Sequence, residues 1–208
     1  MTQANGTGWR AIIGSSAIMS LALLGDALLY AVLPVYAEEF GLTLPWVGVL
    51  LSANRFVRVF AYGAIARLTY AIGVRNICLI AAVTATVSTA LYGLGQGPAI
   101  LLAARVLWGL TYAALVLATL SYAVTYKAKV GTRVGVGQAI QRIGPIFALF
   151  GGAWLVGVVG PQSAFLILAV PTALSFAIAL TLPGKGVSPP TRSRPASLAK
   201  PTPIDVLF

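Results

Sequence analysis

The sequence predicts an all-α membrane protein of six transmembrane helices with both termini on the cytoplasmic side, and three observations carry that reading. Hydrophobic residues make up 59% of the 208 and charged residues only 9%, whereas a soluble domain carries about 25% charged residues. The mean hydropathy is +0.92. The apolar residues gather into six segments, each near the ~20 residues that a helix needs to cross the hydrocarbon core. Basic residues sit in alternate connections between those segments, the pattern that sets orientation in a bilayer.

The segments run over residues 11–36, 45–66, 76–94, 100–122, 134–159 and 164–182. Glycine is frequent inside them, as expected where membrane helices pack closely. The first is not expected to be a signal peptide, because it is long, contains Asp26 and shows no clear small-residue cleavage site after a short apolar run. Arg10 precedes it, Arg67 and Arg75 fall in the second connection, and Lys127, Lys129 and Arg133 in the fourth. Lys185, Arg192, Arg194 and Lys200 follow the sixth segment. The first connection carries Glu38 and Glu39 instead, and the third and fifth, around Gln96 and Gln162, carry no charge. Residues 1–183 are thus expected to form the bundle and 184–208 a cytoplasmic tail rich in Pro, Ser and basic residues. The tail's last residues, Ile204 to Phe208, turn apolar again, as at the start of a further element. Trp46, and to a lesser extent Trp9, are expected at the membrane interface.

Composition also excludes several classes of function. There is no histidine and only one cysteine, Cys78, so neither a His/Cys metal site nor an internal disulfide is expected, and no cofactor is implied. The net charge of +10 would suggest nucleic acid in a soluble protein. Here it follows topology, so no nucleic-acid partner is expected. No acid pair or activated nucleophile lies in a segment, so an enzyme is not expected.

The chemistry is expected where charge enters the apolar segments: Arg55, Arg58, Arg105 and Arg142, against the single acid Asp26. A charge at the centre of a membrane helix costs at least ~2.5–3.5 kcal/mol, so such residues face a bundle interior or a watery cavity. Helical spacing groups Asn54, Arg55, Arg58 and Tyr62 in the second helix and Gln138, Gln141 and Arg142 in the fifth. It groups Arg105, Trp108, Gly109 and Tyr112 in the fourth and Asp26, Tyr30 and Pro34 in the first. Polar faces on four helices point to one shared central cavity.

These positions resemble the amino-terminal six-helix half of a major facilitator superfamily transporter, of the drug:proton-antiporter-like kind. Gly63-Ala-Ile-Ala-Arg67 through Gly73-Val-Arg75 looks like the family's loop between helices two and three, with Arg67 near the place of its usual acid. Ala104-Arg105-Val-Leu-Trp-Gly109 is similar to the fourth-helix motif, whose Arg is implicated in proton coupling. Gly144-Pro145 through Gly151-Gly152 resembles the antiporter motif of helix five, with a longer spacing than usual. The resemblance covers residues 9–208 and implies a 3+3 inverted repeat. It also implies gating or packing roles for Gly63, Arg67, Gly73, Arg75, Gly109, Gly144, Pro145, Gly151 and Gly152.

The expected function is secondary active transport or efflux of a small organic or phosphorylated anion, coupled to protons, at a bacterial cytoplasmic (inner) membrane. Guanidinium stays protonated and offers a planar, two-pronged donor that fits carboxylate or phosphate. Arg55, Arg58 and Arg142 are the expected anion contacts, with Asn54, Tyr30, Tyr112, Gln138 and Gln141 beside them. Asp26 and Arg105 are the expected proton-coupling pair. Family members carry twelve helices, so a homodimer or a second six-helix half is the expected partner, besides lipid, substrate and protons. A scaffold that kept the fold without transporting is the alternative, and it expects arginines closed off by internal pairing.

Overall fold

The computed structural model describes residues 2–125 and 129–184, and for residues 2–5 and 7 its backbone only. Those residues form six long helices: α1 Thr2–Val32, α2 Leu44–Ile72, α3 Val74–Leu94, α4 Pro98–Thr125, α5 Val130–Val159 and α6 Pro161–Leu180. All six are long and apolar enough to cross a membrane, and no strand occurs among the described residues. Lys127 and the expected tail beyond Gly184 lie outside the described residues.

The helices outrun the apolar segments that announce them. α2 continues through Arg67 to Ile72, α3 already contains Arg75, and α5 begins before Arg133, so these residues expected in connections are helical. At the exposed Arg67 a long basic side chain lets the helix extend past the hydrocarbon core while the charge reaches water. Arg75 also closes its neighbour: its guanidinium donates to the Leu180 carbonyl, in the unsatisfied last turn of α6, at 2.8 Å.

Contacts between helices repeat in two triplets. α2 packs on α4 as α5 packs on α1, α3 packs on α4 as α6 packs on α1, and α3 meets α6 across the middle. A single glycine joins the second and third helix of each triplet, in nearly the same conformation: Gly73 at φ 88°, ψ 154° and Gly160 at φ 83°, ψ 162°. Those positive φ values suit glycine and strain other residues. The two joints lie at opposite ends of the bundle, as an inverted repeat requires. α1 is the most enclosed helix, while α2 and α5, on the two flanks, are the least covered. At the end bearing Glu38 and Glu39, Phe165 of α6 meets Phe40 and Tyr92 edge-on at 6.2 and 5.6 Å, pinning the first connection onto α3 and α6.

α5 meets α1 through glycines, and its irregularity serves that contact. Pro145 has no N–H for the preceding turn, and beyond it the backbone widens into a π turn at Ala148–Gly152. In a uniform α-helix the eight residues from Gly144 to Gly152 would turn Gly152 about 80° away from the line of Gly144. The π turn absorbs the extra residue. Gly137, Gly144 and Gly152 therefore all face α1, where a Cβ would come 2.9 Å from Ser16 Oγ, overlap the Ser20 carbonyl, and come 2.9 Å from Leu28 Cδ1, respectively. The long spacing between Gly144-Pro145 and Gly151-Gly152 is thus accommodated in the backbone. Gly63 and Gly151, expected as packing residues, meet nothing within 4 Å.

Gly144→Ala is therefore expected to destabilise the chain by roughly 1–3 kcal/mol, the cost of overpacking a close contact. Gly151→Ala is expected to leave stability unchanged or to raise it slightly, because alanine favours helix by up to ~1 kcal/mol. Thermal unfolding of both variants in the same detergent checks the difference, and equal behaviour would contradict the α1–α5 contact.

Candidate functional site

Arg105 sits two turns into α4, fully buried, and its guanidinium is held from two other helices. One terminal nitrogen donates to Asp26 Oδ1 of α1 at 2.5 Å, and the other donates to the Tyr30 hydroxyl, one turn further along α1, at 3.2 Å. Nε donates to the Leu50 carbonyl of α2 at 3.1 Å. The Tyr30 ring lies 5.1 Å from the guanidinium carbon, and Tyr30 in turn donates to the Leu51 carbonyl at 3.3 Å. Asp26 with Arg105 is the only ion pair among the described residues. Breaking such a buried pair leaves an uncompensated charge, which costs far more than the pair contributes.

From Arg105 the seam between α2 and α4 runs towards the basic end of the bundle in parallel register. Leu50 lies level with Arg105, Asn54 with Gly109, and Arg58 with Tyr112. Gly109 permits this approach, since a Cβ there would sit 2.9 Å from Val57 and 3.0 Å from the Asn54 carbonyl. The Arg58 guanidinium lies on the Tyr112 ring, 3.5 Å from its centroid. Such stacking contributes about 0.5–2 kcal/mol depending on desolvation. Both amide atoms of Asn54, the Arg58 Nε and the Trp108 Nε1 are buried along this seam without a hydrogen-bond partner. An unsatisfied buried donor or acceptor costs about 1–3 kcal/mol, so four on one seam mark a place where partners are expected to arrive.

Of the residues expected at the site, Asp26, Tyr30 and Arg105 thus form one contact group, continued by Asn54, Arg58 and Tyr112. Gln141 is buried on α5, while Arg55, Gln138 and Arg142 are exposed on α2 and α5. Gln138 and Gln141 line a separate cavity between α1, α4 and α5. The polar faces therefore resolve into two groups that share α1 and α4.

Two positions were missed by sequence reasoning. Arg133, expected as a loop anchor, is buried in the first turn of α5 with half-buried Trp9 5.9 Å from its guanidinium. The spacing Arg133, Gly137, Gln141, Gly144 follows one helical face and was the available signal. Ser20 was the other: its hydroxyl accepts from the Gly144 N–H at 2.8 Å. A lone serine in an apolar helix carries no such signal.

The model of the Major Facilitator Superfamily matches residues 8–207, nearly the whole chain. The chain belongs to this superfamily of membrane transporters. No curated protein matches it.

Asp26→Ala is expected to destabilise the chain by about 3–5 kcal/mol, because it strands the Arg105 charge. Combining it with Arg105→Leu is expected to recover a large part of that loss. A double-mutant cycle on thermal unfolding reads the coupling directly, and additive losses would show that the pair is not the bond holding α1 to α4.

Proposed function

We propose that this superfamily member is a proton-coupled transporter of small anions, working from its cytoplasmic-membrane bundle together with a second six-helix bundle. The observation that carries the reading is the Asp26–Arg105 pair, the lone acid at membrane depth bound to an arginine inside the bundle. A proton on Asp26 removes the carboxylate that holds Arg105 and frees α1 to move against α4. Arg58, stacked on Tyr112 beside the unpartnered amide of Asn54, then offers a planar cation to carboxylate or phosphate, with Arg55 one turn away on the exposed side. Superfamily transporters rock one bundle against another around a site near the midplane.

A scaffold reading fits less well. It expects arginines neutralised inside the bundle, yet two of the arginines in the apolar segments, Arg55 and Arg142, are exposed. Arg55 and Arg142 are exposed on the two least covered helices, among the exposed rings of Phe56, Phe60, Phe150 and Trp154. A charge left against lipid is costly, so this face supports cover by a second bundle, from another copy or another partner half. Arg10, Arg67, Arg75, Lys129 and Arg133 share one end of the bundle and Glu38 and Glu39 the other, which supports cytoplasmic termini.

Orientation is checked with single cysteines, since Cys78 is buried and contributes little background. Thr43→Cys and Gln96→Cys are expected to label from outside and Lys129→Cys only from inside, and one reversal would overturn the topology.

Transport is checked in proteoliposomes against a panel of organic acids and phosphate esters. Arg58→Lys keeps the charge but loses the stacked plane, and is expected to weaken the responding anion about tenfold to hundredfold in Kd. Asp26→Asn is expected to abolish pH-gradient-driven accumulation. Folded Arg58→Lys and Arg58→Ala variants that handle the anion like the parent would sink the anion site, and gradient-driven accumulation by Asp26→Asn would sink the coupling role.

A further inference from the structure

Arg55 on α2 and Arg142 on α5 are exposed, and neither makes a hydrogen bond or an ion pair among the described residues. Each stands in the same apolar surround. Phe56, Val59 and Phe60 are exposed at one, four and five residues beyond Arg55, and Ile143, Ile146 and Phe147 at the same offsets beyond Arg142. At about 100° per residue, these fall on the exposed half of the helix that carries the arginine. Each guanidinium thus rises from an oily face rather than from the wall of a watery cavity.

The two arginines also lie at nearly one depth. The Leu50 carbonyl accepts from Arg105, and Arg55 lies five residues, about 7.5 Å, beyond Leu50 towards the basic end. On α1, Asp26 binds the same Arg105, and the Ser20 carbonyl that Gly144 abuts lies six residues, about 9 Å, towards the basic end. Arg142 precedes Gly144 by two residues, about 3 Å further. Arg55 and Arg142 are therefore within about one helical turn of each other in depth, one on each flank of the bundle.

The chain holds no carboxylate to answer them. Of its four acids, Asp26 is bound to Arg105, Glu38 and Glu39 sit at the opposite end, and Asp205 lies beyond the six spans. A second copy in the same orientation would bring two more arginines to this depth and no free acid, and like charges across an interface suppress pairing. We propose that the α2 and α5 flanks dock a membrane bundle that presents carboxylates at this depth, and that a second copy of this chain is not that partner. Each carboxylate accepts two parallel N–H bonds from Arg55 or Arg142. Such pairs set register more than they add stability, because both charges leave water. This chemistry rests on the second bundle of the proposed function and specifies what its covering helices carry. Arg58, half-buried on Tyr112, stays with the substrate.

The test places the full chain in phosphatidylcholine vesicles, with a donor dye at Gln96→Cys. The probe is an acceptor-labelled, leucine-rich helix of roughly 20 residues with Glu, Gln or Lys at its centre. Energy transfer is expected to show the Glu helix bound at least ~tenfold more tightly than the Gln helix, and the Lys helix unbound. Arg55→Gln combined with Arg142→Gln is expected to bring the Glu helix down to the level of the Gln helix. Arg55→Lys combined with Arg142→Lys is expected to keep part of the preference. Both positions are exposed, so folding is not at stake. Donor- and acceptor-labelled copies of the parent are expected to show no transfer beyond random dilution. Stable pairing of the parent with itself would make a second copy the occupant and overturn the proposal. So would equal binding of the Glu and Gln helices, or a Glu preference that survives in the double Gln variant. Transport that responds to Arg58→Lys despite such a result would leave the proposed function standing and sink this docking alone.

Discussion

The bundle depends on one guanidinium. Arg105 enters from α4 and binds the Asp26 carboxylate and Tyr30 hydroxyl of α1 and the Leu50 carbonyl of α2, so three helices meet on a side chain that stays charged. Apolar side chains hold membrane helices together weakly, because lipid tails offer them much the same surroundings. A charge with nowhere else to find partners is different. Its bonds at Arg105 are directional, and losing one strands a cation in a dry interior. The surrounding geometry follows from that anchor, since the parallel register of α2 on α4 places Asn54 level with Gly109 and Arg58 on Tyr112.

The inverted repeat gives the same logic a second copy with different chemistry. Where α4 meets α2 through Gly109, α1 meets α5 through Gly137, Gly144 and Gly152, and here hydroxyls of Ser16 and Ser20 stand in the seam instead of an ion pair. α1 belongs to both arrangements. It carries Asp26 and Tyr30 towards Arg105 and, less than three turns earlier, Ser16 towards the α5 cavity. A displacement of α1 that relieves one seam necessarily strains the other, because Gly144 leaves no space at the Ser20 carbonyl. The π turn after Pro145 is the softer element in that arrangement, and such turns recur at functional places in helices.

Much of this was legible in the sequence. Hydropathy and the alternation of basic residues gave six spans, and the rarity of acids singled out Asp26 as the partner for one arginine, with Arg105 as the candidate. What was not legible has physical reasons. Helix ends were set too short at Arg67, Arg75 and Arg133, because hydropathy reports where lipid ends and not where hydrogen bonding ends. Arg133 was read as solvated for that reason alone. Helical spacing placed Arg55 and Arg58 on one side, but it cannot say which of them a neighbouring helix covers. α4 covers Arg58 with Tyr112 and leaves Arg55 exposed. The π turn was visible only as an extra residue between two glycine pairs, a spacing whose effect depends on backbone geometry that no periodicity reveals.

If the proposed function holds, the charges also set the sign of the coupling between proton and substrate. With Asp26 ionised, its carboxylate cancels Arg105, and an anion approaching Arg58 meets the field of a neutral pair behind it. Protonating Asp26 would leave Arg105 uncancelled and add one positive charge to the region proposed to receive the anion. Under the proposed function, a proton on Asp26 and an anion at Arg58 would therefore favour each other. A cationic substrate would have the opposite relation, competing with the proton for the one carboxylate. On that proposal an anion would move with the proton, and exchange against it would require the two to occupy the bundle at different stages of the cycle. One acid among several arginines is what makes that distinction sharp, because no second carboxylate within the described spans can compensate the change.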